Sequence, residues 1–160
     1  GYSAVVFNPW SAGVVYCAVW GDAVYQSNDN GATWSKITGS PAQVIRMKFG
    51  WGGLFAATTT GVFRGWNSGT WKDVTPPGQA GNSFCALDTK DDQVVVSRNE
   101  QSNAPLYYAS SGTGATINWT QKNLSYTRSL AWWQSYDMKA DWTSAVAFEP
   151  WRGDTLWLSH

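Results

Sequence analysis

The feature that most constrains this chain is its similarity to itself. "SAVVFNPWSAGVVYCAV" (residues 3–19) aligns without a gap on "SAVAFEPWRGDTLWLSH" (144–160), sharing Ser, Ala, Val, Phe, Pro and Trp at an offset of 141 residues. Three units in that interval would average 47 residues each. A repeat of that size cannot bury its own apolar surface, so it must stack on its neighbours, and the architecture has to be a serial one.

Inside each unit the same parts recur in the same order. In the first, "AVVF", "VVYCAV", "AVYQS" and "TWSKIT" are short apolar or alternating runs, separated by Asn-Pro, Ser-Ala-Gly and Gly-Asp. Alternation with period two, broken by turn formers, predicts four strands joined by tight turns. The second unit repeats the scheme with "QVIRMKF", "LFAAT", "GVFRG" and "TWKDV", and the third with "SFCALD", "QVVVS", "PLYYAS" and "NWTQKN". No helical stripe of useful length appears. Four antiparallel strands recurring every 40 to 50 residues predict an all-β fold, a β-propeller of four-stranded blades. We place blade 1 at about residues 3–40, blade 2 at 42–77, blade 3 at 82–124, a long loop at 125–142 and the start of blade 4 at 143–160. That is about three and a half blades of an incomplete ring, which implies further blades of a parent protein or another copy of the chain as partners.

Composition narrows what such a propeller can meet. Eleven basic residues balance eleven acidic ones, so no broad field attracts phosphate backbones or anionic membranes. Neither nucleic acid nor a membrane is an expected partner. The longest apolar runs fall far short of the ~20 residues that a spanning helix needs. Low charge with 16 Gly and 12 Trp suits a secreted, extracellular β-protein whose exposed aromatic rings meet sugars. Cys17 and Cys85 are too few for a disulfide framework and read as small buried hydrophobes. Asn118 and Asn123 begin N-x-S/T sequons, candidates for N-glycosylation in a eukaryotic secretory pathway. The only histidine, His160, has no Cys or His nearby, and no Gly-rich phosphate loop follows a strand. No metal and no cofactor are expected.

The stretch "SNDNGATW" matches the Asp-box pattern S-x-D-x-G-x-T-W through Ser27, Asp29, Gly31, Thr33 and Trp34. A short carboxylate can accept backbone N–H bonds across such a turn, Gly can take a φ that other residues resist, and Trp can plug the blade. The turn joins the third and fourth strands. In a propeller these turns, and those between the first and second strands, open on the face away from the usual ligand site, so Asp29 reads as structural. Worn copies follow: "GWNSGTW" has Asn67 in the Asp position, and "SSGTGATINW" has Gly112 there.

A full Asp box within this blade grammar resembles the sialidase-type and sortilin-type propellers, and most closely glycoside hydrolase family 74, the xyloglucan-active endoglucanases. The serial order carries the resemblance: "AVYQSNDNGATWSKITG", "GVFRGWNSGTWKDVTPP", "ALDTKDDQVVVSRN", "LYYASSGTGATINW" and "DWTSAVAFEPWRGDTLWLS". It implies two seven-bladed propellers with a substrate cleft between them, and inverting hydrolysis by two aspartates, one from each propeller. Inversion needs an acid and a base far enough apart to seat a water. The family's "R-T-D-x-G-G" base motif is absent. Its nearest look-alike, "VWGDAVYQS", sets Asp22 two residues late, so no catalytic residue is assigned.

By the same face rule, the loops that look toward a ligand carry Trp20 and Asp22, then Glu100 with Gln101 and Asn103, then the segment 125–141. Sugars bind by stacking C–H faces on aromatic rings while amides and carboxylates take the hydroxyls. Trp20, Asp22, Glu100, Trp132, Trp133, Tyr136 and Asp137 are therefore candidate substrate-binding residues for a polysaccharide or other glycan. The indoles of Trp10, Trp51 and Trp66 fall on the opposite face and are expected to be structural, as are Trp34, Trp71 and Trp119.

Overall fold

The computed structural model describes residues 1–98, 105–122, 145–149 and 156–159. They form only β-structure, in three four-stranded antiparallel sheets and one hairpin. Blade 1 comprises β1 (Tyr2–Phe7), β2 (Val15–Val19), β3 (Ala23–Ser27) and β4 (Ser35–Lys36). Blade 2 comprises β5 (Val44–Gly50), β6 (Gly53–Thr58), β7 (Val62–Gly65) and β8 (Lys72–Asp73). Blade 3 comprises β9 (Phe84–Lys90), β10 (Gln93–Arg98), β11 (Leu106–Ala109) and β12 (Thr120–Lys122). The hairpin of β13 (Ala145–Phe148) and β14 (Leu156–Ser159) opens a fourth blade. Each full sheet keeps its strands in sequence order, the meander expected of propeller blades. The chain is three and a half blades of an incomplete β-propeller ring.

Stacking explains why the second strand of a blade is buried on both faces. All six residues of β6 are buried, yet alternate residues serve different interfaces. Leu54 and Ala56 pack toward blade 1 with Tyr16, Ala18, Val24, Ile37, Val44 and Met47. Phe55 and Ala57 point the other way, to Phe84, Leu87, Val94, Val96 and Tyr107 of blade 3. In β10, Val94 and Val96 face blade 2, while Val95 joins Ala86, Leu106, Val146 and Phe148 on the other side. The period-two geometry of a strand thus gives each blade a front face toward the preceding blade and a rear face toward the next. Burying one Phe or Leu in such an interface contributes roughly 1.5–3 kcal/mol.

The innermost strands are also tied by polar contacts. The Thr89 hydroxyl donates to the Phe49 carbonyl at 2.5 Å. Asp88, only 8% exposed, accepts the Phe148 N–H at 2.7 Å and pairs with Lys48 at 3.3 Å, so one carboxylate joins three blades. Lys90 Nζ donates to the Glu149 carbonyl at 3.0 Å. Cys17 and Cys85 are thiols, the first buried and the second half-buried. Burial pushes both pKa values up.

Candidate functional site

The turns collect at two ends of the stack, as the face rule predicts. At one end lie the β2–β3, β4–β5, β6–β7 and β8–β9 connections. Hydrogen bonds join them: Val24 N–H to the Ser40 hydroxyl at 2.8 Å, Thr59 N–H to the Gln43 carbonyl at 3.3 Å, and Gly81 N–H to the Thr60 carbonyl at 2.9 Å. At the other end, Asn30 N–H donates to the Gly13 carbonyl, and Trp51 N–H to the Asp91 carbonyl, both at 2.9 Å.

The first end carries the sequence-predicted ligand residues that the structure describes. Trp20 is 48% exposed, anchored by its N–H to the Gly1 carbonyl at 2.9 Å. Asp22, in the same tight turn, accepts the Tyr25 hydroxyl at 2.6 Å and forms an ion pair with Lys36. Those two bonds, from Lys36 above all and then from Tyr25, hold its carboxyl below the usual range. A carboxylate that is already paired and made less basic is poorly suited to take a proton from water, though its oxygens can still orient a hydroxyl. Glu100, Gln101, Asn103, Trp132, Trp133, Tyr136, Asp137 and Asn123 lie outside the described residues. Asn118 is exposed, just before β12.

Sequence reasoning missed a polar cluster at this end. Arg98 donates through Nη1 to Gln79 Oε1 at 2.8 Å and through Nη2 to Asn82 Oδ1 at 3.3 Å, while Asn82 Nδ2 donates to the same Gln79 oxygen at 3.3 Å. Arg98 ends β10, whereas Gln79 and Asn82 sit in the β8–β9 loop some 16 to 19 residues earlier. No local spacing could have joined them.

At the other end, Asp29 is the hub of the Ser27–Trp34 turn. Asp29 Oδ1 accepts the Thr33 N–H at 2.8 Å and the Ser27 hydroxyl at 2.7 Å; Oδ2 accepts the Thr33 hydroxyl at 2.6 Å. Bonds from Thr33 first, then Ser27, lower its pKa to about 2. Ser27 Oγ also accepts the Gly31 N–H at 2.7 Å, Gly31 takes a φ of 92°, and the Trp34 indole donates to the Gly31 carbonyl at 3.0 Å.

The worn copies close their turns by other means. In blade 2 the Thr70 hydroxyl accepts the Asn67 N–H at 3.0 Å and donates to the Asn67 carbonyl at 2.6 Å. In blade 3 the carboxylate comes from the neighbouring β9–β10 turn: Asp92 accepts Gly112 N–H at 2.9 Å and the Thr113 hydroxyl at 3.2 Å. Burial alone would raise the Asp92 pKa, but bonds from Ser111, Gly112 and Thr113 outweigh it and lower the value.

The tryptophans at this end do not sit as the sequence predicts. Trp10, Trp51 and Trp66 are 59%, 64% and 41% exposed. They surround a depression of about 460 Å³, lined also by Asn8, Phe49 and Gly53. Trp71 and Trp119 are half-buried against the interblade clusters, whereas Trp34 is 41% exposed on the front of blade 1. Among the described residues no group of three or more His, Cys, Asp or Glu side chains could hold a metal ion, and no helix is long and apolar enough to cross a membrane.

Comparison with known proteins places this fold. No family model and no curated protein matches the chain. Among solved structures, the GH74 enzyme of Niastella koreensis superposes with a TM-score of 0.77 at 21% identity, over 99% of this chain and 28% of that one. An ancestral GH74 enzyme gives 0.67 at 16% identity, over 98% of this chain and 21% of that one. The computationally designed Ika4 protein gives 0.58 at 12% identity, over 93% of this chain and 80% of that one. The chain therefore has the blade architecture of GH74 enzymes and spans about a quarter of their length.

Proposed function

We propose that this chain is an arc of a secreted, glycan-active β-propeller of the xyloglucan-specific endo-β-1,4-glucanase type. In this reading it supplies cleft wall and sugar-stacking surface rather than the catalytic aspartates. The observation that carries the reading is the end that presents Trp20 beside Asp22, with the Gln79–Asn82–Arg98 cluster on the same side. An exposed indole with fixed amide, carboxylate and guanidinium groups is the chemistry that holds a pyranose. Likeness to the blades of two GH74 enzymes supports the same assignment. Glu100, Trp132, Trp133, Tyr136 and Asp137 would extend this surface. Ser27, Asp29, Gly31, Thr33 and Trp34 act as an Asp box that folds a turn on the opposite face.

The front face of blade 1 supports the arc. Val5 and Phe7 are 59% and 70% exposed, and Val5 lines a groove of about 720 Å³ with Tyr2, Cys17, Val19, Tyr25 and Trp34. In blades 2 and 3 the front face is covered by the preceding blade. Further blades would cover it here.

A second reading is a non-catalytic propeller with an adhesive or glycan-binding role. The pairing of Asp22 with Lys36 and Tyr25 favours it, since that carboxylate is not poised as a base. Incubation with xyloglucan, following reducing ends and binding together, separates the two. Binding without hydrolysis that weakens in Trp20→Ala is expected for cleft wall. Release of oligosaccharide by this chain alone would overturn the assignment, and binding indifferent to Trp20 would move the site elsewhere.

A further inference from the structure

The three tryptophans at the opposite end stand exposed around one shared depression. Trp10 and Trp51 lie in the corresponding turns of successive repeats, shortly after the last Phe of the innermost strand: "FNPW" at the end of β1 and "FGW" at the end of β5. Trp66 comes from the β7–β8 turn and lies across Gly53, where any side chain would overlap its ring. Gly53 also holds a φ of 122°, a conformation other residues resist. The floor is Phe49, whose ring meets Trp10 edge-on at 5.5 Å. Asn8 Oδ1 accepts the backbone N–H of Trp10 at 2.9 Å, which fixes the turn, and the Asn8 amide keeps two N–H donors of its own.

Exposure and polarity define what this depression can accept. Taking about 250 Å² per tryptophan, the three residues leave on the order of 400 Å² to water, the size of a monomer's largest and often functional apolar patch. The Trp34 and Trp119 indoles donate to the Gly31 and Val74 carbonyls, whereas the Trp71 indole N–H is buried with no acceptor among the described residues. No such acceptor serves Trp10, Trp51 or Trp66 among the described residues. The lining holds no ionisable side chain, so nothing there neutralises a phosphate or a cation. Stacked nucleobases would come with a backbone charge that this site does not match. The ligand that fits is uncharged, with flat C–H faces and hydroxyls at its edge.

We propose that Trp10, Trp51, Trp66 and Asn8 form a pyranose-binding site for a neutral glycan, on the end of the propeller opposite Trp20 and Asp22. The site stands independently of the cleft-wall reading, because no residue is shared between the two ends.

Tryptophan fluorescence and calorimetry with cellohexaose, on the 160-residue protein, test the proposal with Trp51→Ala, Trp10→Ala and Trp20→Ala. The expected result is a cellohexaose-binding component that weakens at least tenfold in Trp51→Ala and Trp10→Ala and persists in Trp20→Ala, whatever binding Trp20 itself contributes at the other end. Both turn variants place the change on the surface, and Trp51→Phe, which keeps a stacking ring, should retain part of the affinity. Loss confined to Trp20→Ala would overturn the site while leaving the cleft-wall reading standing. Absence of cellohexaose binding would overturn it, as would binding of a single-stranded oligonucleotide in its place. A concentration-dependent dimer that Trp51→Ala abolishes would identify the patch as a protein contact and overturn it too.

Discussion

The first and last hairpins of this molecule carry one motif in two environments. In β1, Val5 and Phe7 of "SAVVF" are 59% and 70% exposed; in β13, Val146 and Phe148 of "SAVAF" are each 7% exposed. Both pairs sit on the front face of an innermost strand. The second pair rests on Ala86, Val95 and Leu106 of blade 3, and the first has no blade before it in this chain. Identical residues at identical register are thus core in one blade and surface in the other. Burial here is decided by the neighbour and not by the motif, as expected where each repeat completes the core of the next.

This contrast orders the expected mutational effects. Phe148→Ala should cost the most, about 3 kcal/mol, because it opens a cavity in a small interface. The loss should fall on the β13–β14 hairpin, read as faster amide exchange in both strands and a lower urea midpoint. An effect under about 1 kcal/mol would mean that the hairpin is not held through its front face.

Asp88→Ala should come next, at roughly 2 kcal/mol, since it leaves the buried Phe148 N–H without an acceptor. Asp88→Asn keeps an acceptor oxygen and should lose less, which separates the hydrogen bond from the Lys48 pair. Equal losses in the two variants would assign the effect to charge.

These two residues also mark how far the sequence could be read. The strands, their order and the three-and-a-half-blade arc followed from period-two runs and turn formers, because a strand's alternation is local. Phe148 could be placed in a core from its pattern alone. The joining of Asp88 to Phe148 and Lys48 could not, since it depends on which innermost strands lie side by side. The same limit hid Arg98 with Gln79 and Asn82. At the candidate site, Trp20 and Asp22 could be placed side by side from sequence because one tight turn holds both. Trp10, Trp51 and Trp66 were placed at the correct end but expected to pack. Nothing local distinguishes an indole that covers a core from one that stands beside it.

The turns between third and fourth strands repeat the comparison at smaller scale. Blade 1 closes its turn with its own Asp29, blade 2 with Thr70, and blade 3 with Asp92 borrowed from the adjacent turn. A pattern worn down in sequence has therefore kept a polar closure in space. The Asp29 carboxyl titrates at about 2 when folded, below the ~3.9 of an unfolded chain. Its contribution is complete above the unfolded value and lost as pH falls through the folded one. Thermal midpoints should decline between about pH 4 and about pH 2, and Asp29→Asn should remove part of that slope. Parallel curves for variant and wild type would show that the turn does not depend on the charge.

The smallest effect expected is the sharpest test of the opening contrast. Phe7→Ala removes the residue equivalent to Phe148 from a face that water already reaches, so it should shift stability by no more than about 0.5 kcal/mol. The size of the gap between the two variants measures what a neighbouring blade contributes, with chemistry and register held constant. Should Phe7→Ala cost as much as Phe148→Ala, the front of blade 1 must be covered in solution, and by another copy, since no other chain is in the tube. Stability would then rise with protein concentration, as it does for any fold completed by association. A flat concentration dependence together with a near-neutral Phe7→Ala would leave the front face bare in the isolated arc, with its apolar row still matched to the rear of a blade.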